Sequence, residues 1–145
     1  MGCVKSCCAN ERPNDYVVSL GVIDESKHFL FDASPDIVSQ TNYLQSISPA
    51  KKLEIFLTHA HMGHYAGLIH LGRESANTKK TPVYVMPRME KFLRNNGPWN
   101  QLIDLENISI QPIQNKIPVS VSPRLTVTPL TVPHLSLIHI SEPTR

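Results

Sequence analysis

Three histidines fall within six residues, His59-Ala60-His61-Met62-Gly63-His64, between an apolar β-favouring run and a stretch able to turn into a helix. The run before them is Leu53-Glu54-Ile55-Phe56-Leu57, and the stretch after them is Tyr65-Ala66-Gly67-Leu68-Ile69. On extended backbone, residues i and i+2 point to the same side, so His59 and His61 converge where the strand ends. His64 then falls on the first turn of the next helix, where the positive end of the dipole disfavours imidazolium. Neutral imidazole is the form that binds metal. Active-site groups favour the carboxyl ends of strands, so the segment directs the chain toward a strand–loop–helix architecture with a metal site at the turn.

The remaining sequence supplies such an architecture. Strands are predicted over 16–23 and 28–32, joined by a turn at 24–27. Ser34 is placed to cap a helix with Pro35 at its first position, running to about residue 46 with Ile37, Val38, Tyr43 and Leu44 on one face. Residues 53–57 form the next strand, the histidine loop leads into a helix reaching about residue 74, and 75–81 is a polar connector. A short strand over 82–86 precedes a helix over 87–96, with Met89, Phe92 and Leu93 inward and Gly97 closing it. Trp99 is expected to anchor a loop to the core, His28 to lie in a turn and His70 on a helix surface. Strands over 108–113, 119–121 and 125–132 complete an α/β layered fold.

Composition narrows the function classes. With 145 residues, 41% of them apolar, the chain can bury one modest core. A net charge of +2 is too small to argue for nucleic acid or an anionic membrane. No apolar run approaches the ~20 residues of a spanning helix, and the polar start lacks the apolar core of a secretory signal, which favours a cytoplasmic location. Cys3, Cys7 and Cys8 are odd in number and clustered, unlike a disulfide framework. Three thiols without a nearby fourth ligand also make a poor structural zinc site. Met1-Gly2-Cys3-Val4-Lys5-Ser6 fits the N-myristoylation pattern, so a lipid anchor at Gly2 and Cys3 is the alternative location. Lys51, Lys52, Lys79 and Lys80 form two short basic pairs, read as solvated surface.

The segment from Thr58 to Leu68 resembles the H-x-H-x-D-H signature of the metallo-β-lactamase-fold metallo-hydrolase superfamily. Phe29-Leu30-Phe31-Asp32-Ala33-Ser34 resembles the strand ending in Asp that precedes the signature, and Thr131-Val132-Pro133-His134 the later strand that delivers another His ligand. The segments Ser34-Pro35-Asp36-Ile37-Val38-Ser39-Gln40 and Gly2-Cys3-Val4-Lys5-Ser6-Cys7-Cys8 are similar to the branch around pyrroloquinoline quinone synthesis protein B. The resemblance implies an αββα sandwich of two sheets, of which residues 1–134 supply a truncated N-terminal portion. Residues 135–145 resemble a translated sequencing adapter, which excludes His139 from the site and leaves the chain by itself inactive.

In that family the first two His and the later His hold one metal; the Asp, the last His of the signature and downstream ligands hold a second. Gly63 stands in place of the Asp and offers no ligand. The resemblance therefore implies one metal rather than two, on His59, His61 and His134, with His64 auxiliary and the fourth position open. Asp32 would steady a ligand His through a hydrogen bond. Zn2+ is the expected ion, and Fe2+ or Mn2+ also suit such ligands. The implied function is a metal-dependent hydrolase using metal-bound hydroxide. Two alternatives are an iron-dependent oxygenase or hydroxylase in quinone cofactor biosynthesis, and a catalytically impaired relative or lipid-anchored binding module.

Overall fold

Residues 16–24, 26–50 and 52–133 are described by a computed structural model. Five strands form one sheet in chain order: β1 (Leu20–Asp24), β2 (Lys27–Phe31), β3 (Lys52–Phe56), β4 (Thr81–Val85) and β5 (Ile108–Pro112). β1 and β2 pair antiparallel, whereas β2 through β5 run parallel. Parallel neighbours need crossovers. These are α1 (Ile37–Ile47), two 3₁₀ segments (Met62–His64 and Ala66–Leu71), and the pair α2 (Pro87–Asn95) and α3 (Trp99–Asp104). A small antiparallel hairpin of β6 (Val119–Ser120) and β7 (Thr126–Val127) follows. Among the described residues no helix is long and apolar enough to cross a membrane.

Alternation along the strands sends the core two ways. Leu30, Ile55, Val83, Val85 and Ile108 meet Ile37 and Leu44 of α1, Leu68 and Leu71 of the second 3₁₀ segment, and Leu93 and Leu102 of α2 and α3. Phe29 and Phe56 face the other way and meet Ile113 and Val121 beneath the hairpin. β2 is thus buried on both faces, with Phe29 and Leu30 at 0% and 1% exposure, as the interior of a parallel sheet requires. Across the hairpin face Phe31, Phe56 and Tyr84 stack with centroids 5.0 and 4.3 Å apart.

Tertiary contacts explain where the structure departs from the sequence expectations. The segment after the histidines is 3₁₀ rather than α-helical, so His64 ends a three-residue turn and has no helix dipole beneath it. That segment is clamped to the loop after β2: Ala33 N donates to His64 O (2.8 Å) and Gly67 N to Ala33 O (2.9 Å). A Cβ at Gly67 would lie 1.9 Å from the Ser34 carbonyl oxygen, so only glycine permits this approach. Ser34 does not cap α1, which starts at Ile37; its hydroxyl accepts from Asp36 N within the preceding turn. Trp99 opens a helix, α3, instead of sitting in a loop, with its ring against Tyr65 and Phe92. His28 is buried inside β2 rather than in a turn. His70 is half-buried near the end of the second 3₁₀ segment. The last expected strand shortens to Thr126–Val127, and the first begins at Leu20.

Candidate metal centre

β2 and β3 are parallel neighbours, so the residues that follow them leave the sheet side by side. Asp32 follows β2, and its backbone N donates to Phe56 O at the end of β3 (2.7 Å). Its φ of 72° lies in the left-handed region, which Asp tolerates better than most residues. This turn brings the buried carboxylate across to the residues after β3. There Oδ1 accepts from Thr58 N (2.8 Å), and the Thr58 hydroxyl lies 2.9 and 2.8 Å from the two carboxylate oxygens.

The same carboxylate reaches the histidine cluster by two routes. Oδ2 is 2.8 Å from His64 Nδ1. A carboxylate only accepts, so His64 Nδ1 carries a proton, and in the neutral imidazole Nε2 then offers its lone pair to a ligand. Thr58 Oγ1, already bonded to Asp32, lies 2.8 Å from His59 Nδ1. With the hydroxyl proton given to Asp32, His59 Nδ1–H donates to Oγ1, and His59 Nε2 is likewise left as an acceptor. This is the carboxylate–histidine arrangement that fixes tautomer and ring orientation around bound metals.

The donor set fits a divalent metal. His59 Nε2 lies 3.1 Å from His61 Nδ1, close to the about 3.3 Å expected between two nitrogens on one tetrahedral zinc. One donor atom from each of Asp32, His59 and His64 also falls within 4.8 Å of the others. The His59 and His64 rings sit 4.0 Å apart. All three histidines are half-buried, so a ligand can enter from solvent.

The structure therefore brings together His59, His61, His64 and Asp32 from the sequence prediction. His134 lies outside the described residues, as do Gly2, the three cysteines and the tail over 135–145. Asp32 Oδ2 lies at hydrogen-bond distance from His64 Nδ1. Thr58 is the residue the sequence reading missed. Its one local signal is a hydroxyl placed between a strand end and the first histidine.

Residues 27–145 match the family described as "Beta-lactamase superfamily domain". Among solved structures, zinc-bound PqqB from Methylobacterium extorquens is 23% identical, with 81% of this chain and 43% of that protein covered and a TM-score of 0.64. The metallo-beta-lactamase fold protein YhfI from Bacillus subtilis is 19% identical over 78% of this chain and 44% of its own, with a TM-score of 0.54. MEM-A1, a subclass B3 metallo-beta-lactamase from a soil metagenome library, is 19% identical over 74% of this chain and 44% of its own, with a TM-score of 0.51. The chain spans less than half the length of each. These likenesses are likenesses of fold. No curated protein matches the chain.

Proposed function

Because this chain belongs to the beta-lactamase superfamily, we propose that it carries the metal-holding portion of a metal-dependent hydrolase acting on a small molecule. His59, His61 and His134 are the proposed ligands, with His64 auxiliary and zinc the proposed ion. The observation that supports this best is the Asp32 hub, one carboxylate bonded to His64 directly and to His59 through Thr58. A divalent metal there would supply a Lewis acid and a water that ionises near neutral pH. The chain's own residues hold the ligands ready: Asp32 keeps His64 Nε2 toward the site, and Thr58 does the same for His59. Metal content of the intact protein tests the reading. The parent should hold about one transition metal per chain, His61→Ala should lose it, and Asp32→Ala should weaken metal binding by about 10–100-fold. Equal metal content in parent and His61→Ala would overturn the proposal.

The one-metal reading has its own check at Gly63. A Cβ there would meet nothing within 4 Å, and no glycine among the described residues has positive φ. The backbone therefore accepts a side chain at this position. Gly63→Asp should fold like the parent and, where the rest of the protein supplies the second site's partners, raise metal stoichiometry above one. An unchanged stoichiometry in the folded variant would mean that those partners are missing too.

A second reading, an iron-dependent oxygenase or hydroxylase in quinone cofactor biosynthesis, is favoured by the likeness to PqqB, which covers more of this chain than the other two. Imidazole suits iron as well as zinc. Zinc retained after both aerobic and anaerobic purification supports the hydrolase. Iron retained only under anaerobic handling, with substrate-dependent oxygen uptake, supports the oxygenase.

A further inference from the structure

Lys52 and the pair Lys79–Lys80, far apart in the sequence, are brought to one place by the fold. The β3–β4 register, Ile55↔Val83, has an offset of 28 residues, which sets the start of β3 level with the start of β4. Lys52, Lys79 and Lys80 consequently border one groove of about 770 Å³ between α1 and the connector before β4. That volume is in the range of small-molecule sites. His70 from the second 3₁₀ segment and Asn42 and Gln45 from α1 add to its polar lining, over a floor that includes Leu53 and Leu71.

Its charge is nearly one-sided. The acid that borders it, Glu54, is buried with its carboxylate bonded to Lys27 Nζ (2.7 Å) and Tyr84 Oη (2.8 Å) on the hairpin face. Lys80 pairs with Glu106 at 3.0 Å, but both side chains are 65% exposed, and such a pair yields readily to a stronger anion. Among the described residues the side chains of Lys52, Lys79, His70, Asn42 and Gln45 have no hydrogen-bond or ionic partner. Lys52 and Lys79, with Lys80 shared with Glu106, thus border the groove beside three further hydrogen-bonding groups, and the acid in its lining is already paired with Lys27.

We propose that this groove binds a small polyanion of the phosphate-ester class, at the opposite end of the sheet from the histidines. Lysine ammonium groups act as point charges toward phosphate, and two or more phosphate charges are needed to satisfy three of them. The five residues of β3 separate the groove from the histidine loop by about 16 Å, so the site is distinct and does not depend on the metal reading. A nucleic-acid backbone is the weaker match, because a net charge of +2 gives no extended basic surface.

Calorimetric titration of the intact protein with inorganic pyrophosphate tests the proposal, at fixed ionic strength and on both parent and His61→Ala protein. Saturable binding of one pyrophosphate per chain is expected in both. The double variant Lys52→Gln/Lys79→Gln should weaken it at least tenfold with an unchanged melting temperature, whereas Lys91→Gln on α2 should not. Binding unchanged in the double variant, or no saturable heat, would overturn the site. Binding lost in His61→Ala would place the anion at the metal cluster instead. A single-stranded oligonucleotide that binds more tightly than pyrophosphate and needs the same lysines would replace the small ligand with a polymer.

Discussion

The two faces of the central sheet are closed by different physics. Helices cover one face with aliphatic side chains from every crossover, and Leu30, Ile55, Leu68, Val83 and Leu93 are all at 0–1% exposure there. A hairpin covers part of the other, where Val121 and Ile113 meet Phe29 and Phe56. That hairpin is tied down by charge. Asp24 accepts from the Ser122 hydroxyl and from Arg124, and Lys27 Nζ donates to the Val121 carbonyl while pairing with Glu54. Apolar burial is non-directional and scales with area, whereas these tethers depend on ionisation and on placing a few atoms well. The helix face should therefore set how stable the fold is, and the hairpin face where that stability is sensitive to conditions.

The largest expected effect tests the first half of that statement. Leu30→Ala should destabilise the fold by about 2–5 kcal/mol through lost burial and the cavity left behind, with an unchanged dependence on denaturant. Chemical denaturation followed at Trp99, which sits on the helix side, measures it. On the hairpin face Lys27→Met should cost less, about 2–3 kcal/mol, because it leaves the buried Glu54 carboxylate with Tyr84 as a partner and Lys27 is itself about 29% exposed. Burial, with the Glu54 carboxylate beside it, pushes the Tyr84 hydroxyl up to about 12, so it stays a donor to Glu54. Adding Glu54→Gln to Lys27→Met should restore part of the loss. A larger cost for Lys27→Met than for Leu30→Ala would reverse the ranking of the two faces.

What could be read in advance divides along similar lines. The strands, α1 and α2 announce themselves through local periodicity, and Pro87 marks the start of α2 as its missing N–H predicts. The histidine cluster was legible because its members lie within six residues at a strand end. Asp32 was visible only through the family resemblance, since its bond to His64 spans 32 residues. The 3₁₀ form of the segment after His64 was not readable, because it depends on Gly67 packing against Ser34, an approach that no helical periodicity encodes. Nor was the tether of Asp24 to Arg124, 100 residues apart, where neither residue belongs to a local pattern. α3 was hidden by its shortness and by Pro98 and Asn100, which favour loops in isolation. The basic pairs looked like solvated surface because the register that sets Lys52 beside Lys79 and Lys80 is a tertiary fact.

The smallest effect separates the faces most cleanly, since each carries one group with a shifted titration. His28 is level with Leu53, on the helix face, and burial holds its imidazole below the usual histidine range. The unfolded chain then takes up a proton below about pH 6.5 that the folded chain declines, so this face loses stability as pH falls from there toward the folded value. On the hairpin face the Ser122 hydroxyl, and next the Arg124 guanidinium, hold Asp24 below the ordinary carboxylate range. Its contribution is complete above the unfolded value near 3.8 and is lost as pH falls through the lower, folded one. His28→Leu also removes a buried Nε2 that has no partner among the described residues, a group whose burial costs about 1–3 kcal/mol. Its melting temperature should exceed the parent's at pH 7, and the gap should widen toward pH 5. Asp24→Asn should instead melt below the parent at neutral pH and converge with it below about pH 4. If the gap for His28→Leu stays constant from pH 7 to pH 5, the acid response of the helix face belongs to other groups. The two faces would then differ in strength alone, with no separation in the pH at which each gives way.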